Sequence, residues 1–329
     1  MNGYQIAFTG LDRQYKNLRQ ETLDKTDEIF STGKLMLGKY TEKFESWLSF
    51  KNQQTAITCH SGTQALEIVA EWYKQTHDGT VFLPAFTFIA TKNAFQRSKC
   101  KIVYVDVDDF GIINYQNINA KKNDLICIVG LYGAPLESFE TEAIILEDGA
   151  QHWCGNDYKR IGQITTISFD PMKNLPCYGN GGAIVSCLSE VIEFSKKFRH
   201  HHHPEYTQFA TNSKMSELDC ALLLIKSSYL NEWQERRNKI AKFWKENIKY
   251  ETVIKNHQKH AFQKFVIKTD EREKIRETLK NFGIDTRINY SYVLSNEPIA
   301  TKLSQKVLSI PIYPELTDNE VEYIADKLC

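Results

Sequence analysis

The sequence has no excess charge of either sign: across 329 residues, 41 lysines and arginines are matched by 41 aspartates and glutamates. That balance removes the broad attraction by which proteins gather nucleic acid or anionic membrane, so an anion must be held at a local site. Long apolar runs are missing too, none approaching the roughly 20 residues that cross a bilayer. The opening Met1-Asn-Gly-Tyr-Gln-Ile-Ala-Phe-Thr-Gly10 lacks the charged and apolar regions of a secretory leader. A cytoplasmic location with no nucleic-acid or membrane partner is expected.

The cysteines Cys59, Cys100, Cys127, Cys154, Cys177, Cys187, Cys220 and Cys329 form no C-x-x-C pair, which argues against a zinc knuckle or a secreted disulfide framework. Most are expected to be small buried hydrophobes, with Cys177 in the most interesting neighbourhood. The run His200-His-His-His203 precedes Pro204 in an expected loop, where adjacent histidines do not all face one ion, so no metal is assigned. No internal repeat, low-complexity linker, G-x-G-x-x-G or P-loop is present.

What is present is ordinary globular composition, 42% hydrophobic and 25% charged, at a length suited to one large domain and a smaller one. Between residues 54 and 187 short apolar, β-branched runs recur with room for helices between them, the pattern of an α/β domain built on a mostly parallel sheet. The expected strands are 54–58, 81–83, 101–105, 125–131, 143–147, 164–169 and 182–187. Helices are expected from near Gly62 and over 189–202, 215–229 and 230–247. The tail reads as a small α+β domain, with strands at 262–268 and 283–288 and helices around 270–281 and 318–328. The division is placed at 1–235 and 236–329, and the first ~45 residues read as helical.

Ligands of an open parallel sheet collect beyond the carboxyl ends of its strands. Three such places carry reactive groups. Thr58-Cys-His-Ser-Gly-Thr63 is a strand-to-helix turn whose free N–H groups, at Gly62 and Thr63, suit a phosphate. Ile144-Ile-Leu-Glu-Asp-Gly-Ala-Gln151 ends an apolar strand in two acids, and a carboxylate there can hold the protonated nitrogen of a pyridine ring; Gln151 can reach another edge. Ile167-Ser-Phe-Asp-Pro-Met-Lys173 offers the Ser168 hydroxyl and a lysine able to form a Schiff base, followed by glycines 179, 181 and 182. Phosphate donors, a pyridine partner and an amine are together what a protein contributes to pyridoxal phosphate chemistry.

Read in order, these segments resemble the DegT/DnrJ/StrS family of nucleotide-sugar aminotransferases, pyridoxal phosphate enzymes of fold type I. The likeness extends through Leu11-Asp-Arg-Gln-Tyr15, Gly38 with Phe44-Glu45, Ser61-Gly-Thr-Gln-Ala-Leu66, Pro84-Ala-Phe-Thr-Phe-Ile-Ala-Thr91, Glu147-Asp-Gly-Ala-Gln151, Lys173-Asn174, Gly181-Gly-Ala183, Asn212 with Met215-Ser-Glu217, and Ser309-Ile-Pro-Ile312. It implies Lys173 as Schiff-base lysine, Asp148 on the pyridine nitrogen and Gln151 on the ring hydroxyl. Phe88 would stack on the ring, and Gly62, Thr63 and Ser168 would hold the phosphate. Asn212 would reach the phosphate in a second subunit, which implies a homodimer with shared active sites.

The departures bear on substrate. Lys214 stands where the family usually has an arginine tied to a carboxylate or phosphate of the substrate, and it lacks the bidentate fork. Asp170 replaces an aromatic or histidine. The segment Lys173 to Gly182 resembles the longer loop of the 3-aminotransferase branch. The resemblance thus implies amino transfer, with glutamate as donor, to a keto nucleotide-sugar, leaning to a 3-keto group. Two alternatives remain beside it: a sugar dehydratase, disfavoured because those relatives replace the lysine kept here as Lys173, and a binding or regulatory protein without turnover.

Overall fold

Seven five-residue strands form one sheet in a computed structural model that describes residues 5–155, 157–206 and 208–329. They are β1 (Thr55–Cys59), β2 (Thr80–Pro84), β3 (Lys101–Val105), β4 (Leu125–Val129), β5 (Ile144–Asp148), β6 (Ile164–Ser168) and β7 (Gly182–Ser186), in spatial order β1-β7-β6-β5-β4-β2-β3. All run parallel except β7, which is antiparallel to β1 and β6. Strands β4, β6 and β7 are buried at every residue, as covered sheets require of near-continuous apolar runs.

The helices are α1 (Leu11–Thr32), α2 (Lys39–Asn52), α3 (Gly62–Thr76), α4 (Ile89–Arg97), α5 (Ser189–Phe198), α6 (Glu217–Ser227), α7 (Leu230–Asn247), α8 (Arg272–Asn281), α9 (Pro298–Lys306) and α10 (Asp318–Asp326). A second, antiparallel sheet has the order β10-β9-β8, from β8 (Glu251–Thr252), β9 (Phe265–Lys268) and β10 (Val307–Ile310). Helix α3 buries Ala65, Leu66, Ile68, Val69, Trp72 and Tyr73 in the core on one side of the large sheet. Helices α1 and α2 contribute Leu18, Ile29, Phe44 and Leu48 to the core on the other side.

Several sequence expectations differ from the structure, among them the helix over 189–202, which ends at Phe198, and the strand over 262–268, which begins at Phe265. Residues 283–288 form no strand; Ile284 and Arg287 make single bridges to Ile6 and Ser309 instead, so the segment is stitched at two points rather than laddered. The strand expected over 125–131 stops at Val129 because Gly130 opens a turn in which Tyr132 takes a φ of 62°. The division placed at 235/236 falls inside α7. That helix buries Trp233 in the core of the large sheet, and Ile240 and Trp244 in the core of the small one.

Candidate active site

The sheet order sets the site. Gly182, first residue of β7, lies opposite both Cys59 at the end of β1 and Ser168 at the end of β6. Glycine is required there: a Cβ on Gly182 would lie 2.3 Å from the Ser61 carbonyl oxygen, and one on Gly62 would lie 2.6 Å from Ser168 Cβ. The absence of side chains draws the start of α3 against the end of β6. Ser61 caps the helix by accepting from the Gln64 N–H at 3.0 Å, which leaves the first-turn N–H groups of Gly62 and Thr63 beside the Ser168 hydroxyl. The result is a cup of donors at the positive end of a helix, suited to a phosphate.

At the end of β5 the strand's alternation separates two acids. Glu147 turns into the protein, where it accepts from the Gly162 N–H at 2.6 Å, the Tyr158 hydroxyl at 2.7 Å and the Ile161 N–H, with His152 at 3.3 Å. These donors hold its carboxyl below the ordinary range against the opposing effect of burial, the larger single influence. Asp148 turns the other way, into a cavity of about 250 Å³. It accepts from the Thr91 hydroxyl at 2.9 Å and the Ala150 N–H at 3.2 Å and is 5% exposed. Among the described residues no cation lies within ion-pairing distance of it.

Lys173 follows the end of β6 through a turn closed by its own N–H on the Asp170 carbonyl at 2.8 Å. Its half-buried side chain lines the same cavity. Burial lowers its pKa from the ordinary lysine value, with Asp170 and Asp148 partly opposing. Gln151 accepts from the Tyr132 N–H at 2.7 Å and directs its amide nitrogen to the Tyr290 hydroxyl at 3.4 Å. Phe88 is 47% exposed on the cavity wall, its ring 5.5 Å from that of Tyr290.

Seven of the sequence-predicted residues, Gly62, Thr63, Phe88, Asp148, Gln151, Ser168 and Lys173, therefore share one cavity. Asn212 and Lys214 do not. They lie outside it, Lys214 Nζ donating to Asn212 Oδ1 at 2.6 Å, on a loop tied to the site's edge by the His60 N–H on the Ser213 carbonyl. Residues His200–His203 sit on the same loop, away from the cavity, and no metal-binding cluster occurs among the described residues. Cys177 is buried, which pushes its thiol well above the ordinary range and leaves it unreactive. Arg287 pairs with Asp285 at 2.8 Å.

Sequence reasoning missed Thr91, Tyr290 and Lys264. Thr91 stands in a motif already singled out, so its place was within reach. Tyr290 and Lys264 come from the segment beyond α7 and carried no local signal.

The residues present fit pyridoxal 5'-phosphate. A buried carboxylate without a cation is costly unless a positive group arrives. Two further cavity-lining hydroxyls, of Thr87 and Thr166, are buried without partners. A phosphate cup, a carboxylate awaiting a cation, an amine of lowered pKa and an aromatic wall define a pyridoxal phosphate enzyme of fold type I.

Comparison with known proteins agrees. Residues 16–329 match the DegT/DnrJ/EryC1/StrS aminotransferase family, and the chain belongs to it. It is 28% identical to a "pleiotropic regulatory protein" of Geobacillus stearothermophilus, over 98% of this chain and 97% of the relative. It is 26% identical to the UDP-2-acetamido-2-deoxy-3-oxo-D-glucuronate aminotransferase of Pseudomonas aeruginosa, over 98% and 99%. The solved structure of NtdA from Bacillus subtilis with bound cofactor PMP superposes with a TM-score of 0.86 at 25% identity, covering 99% of this chain and 84% of that one. The protein is a pyridoxal-phosphate-dependent aminotransferase. No helix among the described residues is long and apolar enough to cross a membrane.

Proposed function

We propose that this enzyme moves an amino group from glutamate to the keto carbon of a nucleotide-linked sugar, at C3 rather than C4, with Lys173 as its Schiff-base lysine. The observation that carries the reading is the single cavity in which Lys173, the cation-less Asp148 and the donor cup at Gly62, Thr63 and Ser168 meet. The bound cofactor supplies an aldehyde that captures amines and a protonated pyridine ring that accepts an electron pair.

The chain's own residues do the rest. Asp148, held by Thr91 and the Ala150 N–H, would keep a proton on the pyridine nitrogen. Lys173, its amine more readily unprotonated than a surface lysine's, takes a proton from the donor carbon and returns one during transfer. Gly62, Thr63 and Ser168 would hold the phosphate, Phe88 would cover the ring and Gln151 would steady its hydroxyl edge. The C3 preference is supported by the longer loop from Lys173 to Gly182 and by the 3-oxo sugar named for the Pseudomonas relative.

Asn212 and Lys214 serve the cavity of a second copy, making a homodimer with shared sites. Their position outside their own cavity supports this, as do Tyr206 and Phe209, 64% and 66% exposed on the same loop. The test is transfer of labelled nitrogen from glutamate to a panel of 3-keto and 4-keto nucleotide sugars. Transfer to 3-keto members is expected; transfer confined to 4-keto members overturns the position, and none at all overturns the activity.

A further inference from the structure

Lys264 is a second buried lysine at the cavity, just before β9, and the transamination chemistry gives it no task. The residue borders both the cavity that holds Asp148 and a smaller one lined by Arg237 and Glu315; Lys173 borders both as well. The residue is 5% exposed. Its ammonium has one hydrogen bond, to Gln263 Oε1 at 2.9 Å. Gln263 is fixed in turn, its amide nitrogen donating to the Met172 carbonyl at 2.7 Å, so the pair is locked to the turn that carries Lys173.

An ammonium has three donors. Two of these are left over, and no carboxylate lies within ion-pairing distance of Lys264 among the described residues. Burial with the positive charges of Lys173 and Arg237 pushes its pKa well below the ordinary lysine range, only partly offset by Asp170. An amine so placed takes up its proton most readily when an anion arrives with the substrate, since a charge removed from water without a partner is costly. The cofactor phosphate is provided for by the donors at the start of α3. Of the anions that arrive with the substrates, the diphosphate of a nucleotide sugar is remote from the keto carbon, whereas the donor's α-carboxylate is bonded directly to the carbon that reacts beside Lys173.

We infer that Lys264 binds a substrate carboxylate, that of the amino donor, and so orients the donor's amine and α-carbon toward Lys173. The donor is preferred as the source because every turnover needs one, whereas a sugar carboxylate is present only if the sugar is a uronate. The inference rests on the proposed role of Lys173.

The test uses the holoenzyme with Lys264→Met, which keeps length and removes charge, and Lys264→Arg, which restores charge. The visible absorption of lysine-bound cofactor is recorded first. Its absence from the wild type defeats the Lys173 reading, whereas its presence in wild type and variant isolates Lys264. KM for glutamate should rise at least tenfold in Lys264→Met, with a smaller change in kcat, and fall back in Lys264→Arg. A rise in KM for a keto-uronate but not for glutamate keeps the carboxylate site and moves its source to the sugar. Unchanged KM for both overturns the inference. Should Lys264→Met fail to fold, the wild-type holoenzyme is titrated calorimetrically with glutarate and with uncharged glutaramide: selective binding of glutarate supports the carboxylate site, and equal binding overturns it.

Discussion

The chemistry of the cavity turns on a few atoms. Asp148 is accepted into the interior by one hydroxyl and one N–H and, among the described residues, has no cation beside it. Asp148→Asn keeps the size, its oxygen accepting from the Ala150 N–H and its amide nitrogen donating to the Thr91 hydroxyl, and removes the charge that would hold a pyridinium. Amino transfer should fall by roughly 10²-fold or more, the scale of losing one preorganised electrostatic partner. The cofactor-free variant should melt no lower than the wild type, as a differential scanning calorimeter would show. A second residue reports on acid stability. His260, fully buried with Nδ1 accepting from the Phe262 N–H, has its pKa lowered to about 3 by burial, against 6.5 in an ordinary site. Between those values the unfolded chain binds a proton that the native one refuses, so native stability is fully present above pH 6.5 and declines on acidification toward 3. In His260→Gln the stability measured by urea unfolding should fall less steeply from pH 7 to 5.

The elements explain why so much of the site could be read and why part could not. Asp148 ends a short apolar strand, Lys173 follows another by one turn, and Gly62 opens a helix behind a capping serine; each sits where local pattern fixes its position. Thr91 meets Asp148 from 57 residues away, and Tyr290 meets Gln151 across 139. Such pairings depend on strand order and on the path after α7, which no periodicity specifies. The missing strand at 283–288 is the same lesson: its apolar residues suit a ladder, but its neighbours offer one bridge each.

Two substitutions test particular elements. Gly62→Ala would set a Cβ 2.6 Å from Ser168 Cβ and 3.1 Å from Ser168 Cα, forcing β6 and α3 apart. The expected result is loss of cofactor on dialysis and a destabilisation of about 1–3 kcal/mol, the usual cost of overpacking. At the other end of the chain Thr317 and Glu320 form a reciprocal cap on α10, and Glu320 also pairs with Arg13 of α1 at 2.6 Å. Thr317→Ala should cost about 1 kcal/mol in chemical denaturation without changing turnover.

At the scale of the whole molecule, the loop that carries Asn212 and Lys214 leaves its own cavity, and the proposed assembly follows from that. Lys173→Ala and Asn212→Asp should each be nearly inactive alone. If sites are shared, unfolding and refolding the two together yields mixed dimers in which one cavity has both an intact lysine and an intact asparagine from the partner. Activity should return to about a quarter of the wild-type value by statistical pairing of a two-fold dimer. No recovery, in a mixture shown by sedimentation to contain dimers, would place Asn212 in service of its own chain. Lys264, just before β9 of the smaller sheet, and Tyr290, between α8 and α9, line the cavity together with residues of the large sheet.

The most direct measurement of the central claim is to reduce the holoenzyme with borohydride, digest it and identify by mass spectrometry the lysine that carries the phosphopyridoxyl group. The account predicts that group on Lys173, and no such adduct in Lys173→Ala. Its attachment to Lys264, or to any other lysine of the wild-type protein, would contradict it.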